Sequence, residues 1–345
     1  MPLVNSYQHV KDVYREAAEL GVGLPVFCAE DRETLEAILA SALAFGQQIG
    51  VEDLPIIPAW TVRYPSRGQM TLVSASGNPR LGVRLMFSDL AAFMSEDSPY
   101  RKLRVLPHLD HGFPWLDGDI MEEYAGDFAS IMCDASERPF EENIRLTAEY
   151  VERMRGRVVV EGAVDEIFES GGCGHKNEPT TATQAERFLR ETSVDILVPN
   201  VGTEHRATAD QVNYQADRAR EISAAVGRIL CLHGTSSVKP KDLLRLPADG
   251  FVKINVYTTL AVHGGQAVAH EVMRNLPGIL GEAQVRDLIQ AGMLADSAYA
   301  ESVLRGARPQ LAIVANPPRR DVWFTAVRSR CLDFLTAFNY RAFEL

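Results

Sequence analysis

Three histidines lie at or just after short apolar segments that are far apart in the chain. His111 lies in the segment HLDHG, His205 in VGTEH and His233 in LHGTSS. The C-terminal ends of the strands of an α/β barrel converge on one face, and neutral imidazole is a preferred ligand of zinc and related divalent ions. A single histidine more often has a structural role, but three of them at strand ends favour a metal site with one position open for substrate.

Two more side chains of the HLDHG segment belong to this prediction. Asp110 lies beside a predicted ligand and is a candidate acid or base, with a turn-forming aspartate as the alternative interpretation. We expect His108 to point into the barrel wall and to hydrogen-bond behind the ligands instead of binding the ion itself.

A candidate anion site follows the last two predicted strands. The segment HGTSS contributes Gly234 and Ser236, and KINVYTT contributes Asn255 and Thr258 at the expected start of a helix. Backbone N–H groups and hydroxyls at these positions bind phosphate in many α/β barrels. Serine and threonine are also common helix N-caps, so the interpretation gains its weight from the nearby histidines.

The elements that must position these residues alternate between strand and helix. Amphipathic windows at residues 32 to 48, 138 to 155, 183 to 192 and 207 to 226 separate short apolar segments. Eight such units predict a parallel sheet closed into a (β/α)8 barrel of the TIM type. The predicted strands are Leu24 to Cys28, Leu54 to Ala59, Val105 to His108, Phe128 to Cys133, Val158 to Glu161, Ile196 to Pro199, Ile229 to His233 and Phe251 to Asn255.

The pattern changes near residue 277, after which it is mainly helical. We therefore predict a catalytic barrel over residues 1 to 276 and a helical C-terminal extension over residues 277 to 345. The extension is expected to pack on the barrel or on a partner subunit.

Composition and charge exclude several classes of protein. The 345 residues carry a formal net charge of −11 with scattered arginines, which disfavours a nucleic-acid partner. Five cysteines without a CxxC spacing are typical of reduced thiols, the N-terminal segment lacks the order of a signal peptide, and no apolar stretch is long enough to cross a membrane. A soluble cytoplasmic protein is expected.

The motifs and their order resemble the class II, metal-dependent fructose-bisphosphate and tagatose-bisphosphate aldolases over about residues 1 to 275. The similar segments are HLDHG, the DAS turn with ENIRLT, VVVEG, EPTTATQAERFLRETSVDIL, VGTEH, LHGTSS and KINVYTT. The resemblance implies that Asp110 is the proton donor to the aldehyde carbonyl and that His111, His205 and His233 hold the metal. It also implies that Ser236, Asn255 and Thr258 bind the donor phosphate, and that Thr61 lies near the reacting aldehyde or is an ordinary strand-end hydroxyl.

The same resemblance implies the reaction and the cofactor. The reaction is reversible aldol cleavage of a ketose phosphate or a related hydroxy-keto compound through a metal-stabilised enediolate. One divalent ion is expected, zinc first, with cobalt, manganese and iron as alternatives and a monovalent cation as a further candidate. Because relatives of this kind are dimers or tetramers, the resemblance also implies that this protein is a homodimer or homotetramer.

Several positions depart from the family pattern. Ala163 replaces a glutamate that can approach the metal, and GGCGHK replaces an acidic loop, so His175, or Glu169 or Glu178, would have to supply the proton transfer made there. Arg206 replaces a glycine and suits a carboxylate or a differently placed phosphate, or else it lies outward on the rim.

Cys28 replaces an asparagine, and Tyr257 replaces an aspartate that contacts sugar hydroxyls in relatives. These changes predict a substrate other than fructose 1,6-bisphosphate. The alternatives to an aldolase are a non-catalytic aldolase-like subunit and another divalent-metal lyase or epimerase that uses the same enediolate site.

Overall fold

A computed structural model describes residues 3–64, 68–166, 178–204, 214–310, 313 and 319–344. Within these residues, nine strands form one sheet in which every pairing is parallel. The strands are β1 (Leu24–Cys28), β2 (Pro55–Trp60), β3 (Arg104–Val105), β4 (His108–Gly112), β5 (Ser130–Cys133), β6 (Val159–Ala163), β7 (Ile196–Val198), β8 (Leu230–Leu232) and β9 (Phe251–Val256).

The sheet closes on itself because β1 pairs with both β2 and β9. Val26 is the register partner of Ile57 on one side and of Asn255 on the other. The short strand β3 pairs with the start of β2 and forms an isolated bridge with Leu3, so it lies outside the closed barrel wall, which consists of the other eight strands. The TIM-barrel fold predicted from the sequence is confirmed, and each predicted strand overlaps an observed one.

The third predicted strand is the one whose position needs correction. The sequence indicated a strand over Val105 to His108 followed by a polar turn, but the barrel strand is β4, which consists of the HLDHG segment itself. Pro107 has no N–H group to donate to a neighbouring strand, so the strand structure is interrupted between β3 and β4. His108 and Asp110 therefore lie on a strand and share one of its faces.

The helices cover the outside of the barrel. Thr181 caps α7 with a capping box, and Asp31 caps α2 through the N–H of Thr34 at 2.8 Å. Their bounds are α1 (Tyr7–Leu20), α2 (Arg32–Ile49), α3 (Gln69–Leu72), α4 (Pro79–Phe93), α5 (Pro114–Glu123), α6 (Phe140–Met154), α7 (Ala182–Thr192), α8 (Ala216–Val226), α9 (Pro240–Leu243), α10 (Thr258–Leu280), α11 (Glu282–Gln290) and α12 (Glu301–Leu304).

The C-terminal part packs on the barrel. Its last long helix, Phe324–Ala337, contacts α2 and α10, and Val327 and Phe334 belong to the same apolar core as the barrel strands. Helix α10 runs through residues 276 and 277, so no break in secondary structure marks the predicted domain boundary. The division into two regions therefore stays a prediction.

Two other sequence-based expectations concern membranes and disulfides. In the described part of the chain, no helix combines the length and the apolar character needed to span a membrane. The four cysteines within it are buried and form no disulfide, namely Cys28, Cys133, Cys231 and Cys331.

Candidate active site and metal centre

His111 is the second-last residue of β4 and has an unusual backbone conformation. Its φ is 48°, in the left-handed region, and the pairing of β4 with β5 is irregular between Leu109 and Gly112. A non-glycine residue in this region costs about 1–3 kcal/mol and persists only where the surroundings hold it. The imidazole is held by Asp134, whose Oδ2 accepts a hydrogen bond from Nδ1 at 2.7 Å.

Asp134 lies just after β5 and orients the His111 ring. Its Oδ1 accepts from the backbone N–H and the hydroxyl of Ser136, at 3.2 and 2.6 Å. Burial raises the pKa of this carboxyl, but the hydrogen bonds from His111 and Ser136 outweigh burial and hold the pKa below its ordinary value. A charged acceptor on Nδ1 fixes the tautomer in which Nε2 of His111 carries the lone pair.

His233 follows β8 and lies against His111. The two ring centroids are 4.9 Å apart and the ring planes are nearly perpendicular, at 83°. Nε2 of His233 lies 3.2 Å from Oε1 of Glu161, a fully buried carboxylate on β6. Burial raises the pKa of Glu161, but Lys253 and His233 outweigh it and hold the pKa well below its ordinary value.

The donor set of these residues fits a divalent metal ion. One ligand atom from each of Asp110, His111 and His233 lies within 4.8 Å of the others. Ligands at the usual zinc distances of about 2.0–2.3 Å can share one ion in such an arrangement. A second group, Glu161, Cys231 and His233, meets the same criterion, but its carboxylate is already paired with a lysine.

Asp110 lies at the centre of this site and is 2% exposed. Its Oδ1 accepts from Nδ2 of Asn255 at 2.9 Å, and its Oδ2 lies 3.6 Å from the thiol of Cys28. Cys231 donates in turn to Oδ1 of Asn255 at 3.5 Å. These are the contacts of a carboxylate held inside the barrel and not those of a turn-forming aspartate.

The predicted anion-site residues lie at the same end of the barrel. Gly234 has φ 73°, and a Cβ there would come within 2.8 Å of the Glu204 carbonyl oxygen. Ser236 lies in a 3-10 turn, Thr235–Ser237, and Asn255 lies near the end of β9. Tyr257 and Thr258 are the N-cap and the first residue of α10.

Thr61 directly follows β2 and is fully buried. Its hydroxyl lies 3.2 Å from Oε1 of Gln69, and Gln69 donates to Glu30 at 2.9 Å. This contact anchors the strand end to α3. Whether Thr61 also meets an aldehyde stays a prediction.

Several predicted site residues lie outside the described residues. They are His175, His205, Arg206 and the alternative loop carboxylate Glu169. Glu178, the other alternative, is exposed just before α7, and Ala163 is buried at the end of β6.

Four residues around the site had no place in the sequence-based prediction. Asp134, Glu161 and Lys253 support the histidines, and the Tyr64 ring lies 4.6 Å from the His111 ring, centroid to centroid. The signal for Glu161 and Lys253 was a charge inside an apolar strand, in VVVEGA and FVKINV. Charged residues are almost never fully buried unless paired.

Known proteins with the same fold and motifs place the chain in a family. The family model for class-II fructose-bisphosphate aldolase matches residues 8–307. The fructose-bisphosphate aldolase of Staphylococcus epidermidis is 31% identical over 176 residues, which is 49% of this chain and 59% of that protein's length. The D-tagatose-1,6-bisphosphate aldolase subunit GatY of Klebsiella oxytoca is 26% identical over 270 residues, 77% of this chain and 86% of that one.

Solved structures agree on the fold. The fructose-bisphosphate aldolase of Campylobacter jejuni superposes with a TM-score of 0.71 at 16% identity, covering 98% of this chain and 95% of that one. The YdjI aldolase of Escherichia coli K12 gives a TM-score of 0.62 at 19% identity, covering 98% and 97%. The chain is thus a TIM barrel with a candidate metal-binding group, Asp110, His111 and His233, in its interior. It belongs to the class-II fructose-bisphosphate aldolase family, which confirms the family expected from the motifs.

Proposed function

We propose that the protein is a metal-dependent class II aldolase. It reversibly cleaves a carbon–carbon bond in a ketose phosphate or a related hydroxy-keto compound other than fructose 1,6-bisphosphate. The observation that carries this proposal is the buried Asp110 carboxylate beside the ligand atoms of His111 and His233, all within 4.8 Å. Membership of the aldolase family supports the same reaction class.

His111 and His233, with His205, would hold the ion, and zinc is the metal proposed. When bound, a divalent ion supplies a Lewis acid that polarises the carbonyl oxygen of the ketose. The chain's own residues orient the donors: Asp134 fixes the ring of His111, and Glu161 meets that of His233. Cobalt, manganese or iron could use the same nitrogen and oxygen donors, and a monovalent cation could assist nearby.

Asp110 would exchange a proton with the oxygen on the aldehyde side of the bond that breaks. Asn255 donates to one carboxylate oxygen and the Cys28 thiol lies near the other, so the group is held in one orientation. A positioned proton donor of this kind contributes about 10²–10⁴-fold to a rate. His175 is proposed to take the proton transfer that an acidic loop makes in relatives.

The substrate would lie over the ends of β8 and β9. Gly234, Ser236, Asn255 and Thr258 are proposed for its phosphate, since the start of α10 offers backbone N–H groups to an anion. Tyr257 would narrow the pocket at the same place.

Two further residues are proposed to determine which substrate is used. Thr61 would lie near the aldehyde, and Arg206 would recognise a carboxylate or a second phosphate through its bidentate donors. We also propose that the protein acts in the cytoplasm as a homodimer or homotetramer, with residues 1 to 276 as the catalytic region.

The test combines metal analysis with a substrate screen. The purified chain should hold about one divalent ion, and a panel of ketose phosphates and hydroxy-keto acids should include one whose aldehyde release a chelator abolishes. Asp110→Ala should keep the ion and lose cleavage of that substrate about 10²–10⁴-fold. Asp119→Ala, an exposed aspartate on α5, is the matched control and should leave turnover unchanged.

Three results would contradict the proposal. They are a chain that binds no divalent ion, a panel without any chelator-sensitive cleavage, and an Asp110→Ala enzyme with normal turnover. A screen in which fructose 1,6-bisphosphate is the best substrate would overturn the proposed substrate class alone.

A further inference from the structure

Lys253 is a fully buried lysine in the interior of the barrel. It lies on β9 two residues before Asn255, so both side chains point to the barrel interior, one layer apart. Its ammonium donates to Oε2 of Glu161 and lies 3.0 Å from Nε2 of His108. A buried ammonium needs partners in fixed positions, because an uncompensated charge in an apolar interior is unstable.

His108, one partner of Lys253, is itself held in place by hydrogen bonds. Nδ1 of His108 lies 2.8 Å from the hydroxyl and 3.1 Å from the carbonyl oxygen of Ser130. The phenol of Tyr14, from α1, lies 3.5 Å from the same hydroxyl. Because His108 donates to Ser130 through Nδ1, its Nε2 is the acceptor for Lys253, and the long lysine side chain is held in one place.

Glu161, the other partner of Lys253, contacts the proposed metal centre. Glu161 uses one oxygen for Lys253 and the other, Oε1, for Nε2 of His233 at 3.2 Å. The carboxylate thus links the buried ammonium to a proposed metal ligand. A hydrogen-bond partner on the second nitrogen of a ligating histidine sets its ring orientation and tautomer.

We propose that Lys253 is a positioning residue of the metal centre. Its ammonium holds the Glu161 carboxylate against Nε2 of His233 and so turns the other ring nitrogen toward the ion. It also keeps Glu161 in this orienting role, although Glu161, Cys231 and His233 are close enough to form a metal group themselves. The inference rests on the proposed function in one respect, which is that His233 is a ligand.

The experiment measures Zn²⁺ affinity of the full chain by competition with a chromophoric chelator. Glu161→Gln and Lys253→Met should each weaken affinity about 10–100-fold, the range found when the partner of a ligating histidine is removed. In the double variant the loss should be no greater than in Glu161→Gln alone, because Lys253 acts only through Glu161. The absorption spectrum of the Co²⁺-loaded protein reports ligand geometry, so it should change in each variant that loses Zn²⁺ affinity.

Asp249→Asn is the matched control for a general loss of stability. Asp249 is a buried carboxylate just before β9 that accepts from Tyr214 at 2.9 Å and pairs with Arg220 at 2.7 Å. Among the described residues, its side chain contacts Tyr214, Arg220 and Arg245 and none of the residues of the metal centre. Its variant should therefore unfold more easily yet bind Zn²⁺ as the wild type does.

The outcomes separate this inference from the proposed function. If the wild type binds no Zn²⁺, the proposed function fails first. If the wild type binds and Lys253→Met binds as tightly or more tightly, Lys253 is not a positioning residue. Should Lys253→Met fail to fold, the double variant decides, because it leaves no unpaired charge. A double variant at least tenfold weaker than Glu161→Gln would overturn the inference, and equal affinity would support it.

Discussion

Replacing Asp134 by asparagine tests whether the carboxylate behind His111 sets the metal affinity of the site. The substitution keeps the shape of the side chain and removes the charge that accepts from Nδ1 at 2.7 Å. Charge-assisted hydrogen bonds of this length are about twice as strong as neutral ones. His111 also sits at φ 48°, so its ring depends on an external contact to stay in place.

The expected magnitude follows from these contacts. Loss of such a partner weakens metal binding about 10–100-fold, which corresponds to about 1.4–2.7 kcal/mol. Because both groups are almost fully buried, 7% exposed at most in their side chains, we expect the upper half of this range. The assay is Zn²⁺ competition at fixed pH, with the melting temperature of the metal-free protein measured in parallel.

Ser136→Ala is the matched control for this prediction. It removes the hydroxyl that donates to Asp134 at 2.6 Å and leaves the contact with His111 in place. Its Zn²⁺ affinity should fall less than that of Asp134→Asn. Equal affinities in a folded Asp134→Asn variant and the wild type would refute the reasoning, and so would an equal loss in Ser136→Ala.

Three further predictions concern stability. Gly264→Ala should destabilise the protein by about 1–3 kcal/mol, because a Cβ there comes within 2.7 Å of the Trp323 ring. A Cβ on Gly265 would lie 4.0 Å from the same ring, so Gly265→Ala should instead stabilise α10 by about 0.5–1 kcal/mol. Urea unfolding of the two variants measures both changes. Burial and the neighbouring Lys253 lower the pKa of His108 to about 3. Below about pH 6.5 the imidazole is therefore protonated in the unfolded chain but not in the folded protein, so stability falls as the pH falls. From pH 7 to pH 5 this group should cost about 2 kcal/mol in the metal-free protein, and His108→Gln should lose that part of the slope. Chelator treatment should lower the melting temperature of the wild type, and restored Zn²⁺ should raise it again; no change would argue against a resident ion.

The barrel was predictable because its strands are short, apolar and separated by amphipathic helices. For β1 the predicted and observed bounds coincide, and β9 differs by one residue. The predicted position of β4 was wrong because its sequence, HLDHG, is typical of a polar turn when burial is judged from residue type. All five of its residues are buried, since the polar side chains find partners inside the barrel.

The ligands of the candidate site were easier to predict than the residues behind them. His111 lies in β4 and His233 directly follows β8, and although they are 122 positions apart in the sequence, the closed barrel brings their rings together. Asp134 and Glu161 are 23 and 72 residues away from the histidines they contact. No local pattern encodes such pairings, because they depend on which strands are neighbours and on which face each side chain lies.

A charge inside an apolar strand is nevertheless a usable signal once the fold is known. Glu161 and Lys253 lie on strands that are otherwise apolar and fully buried, and opposite charges in one small interior must pair. In this chain Ala163 occupies the other inward position near the end of β6, so Glu161 is the β6 carboxylate inside the barrel. Since Lys253 already takes one of its oxygens, Glu161 serves better as a partner of His233 than as a metal ligand. Under the proposed function, the histidines would then supply most of the coordination of the ion, which would leave Asp110 available to move a proton.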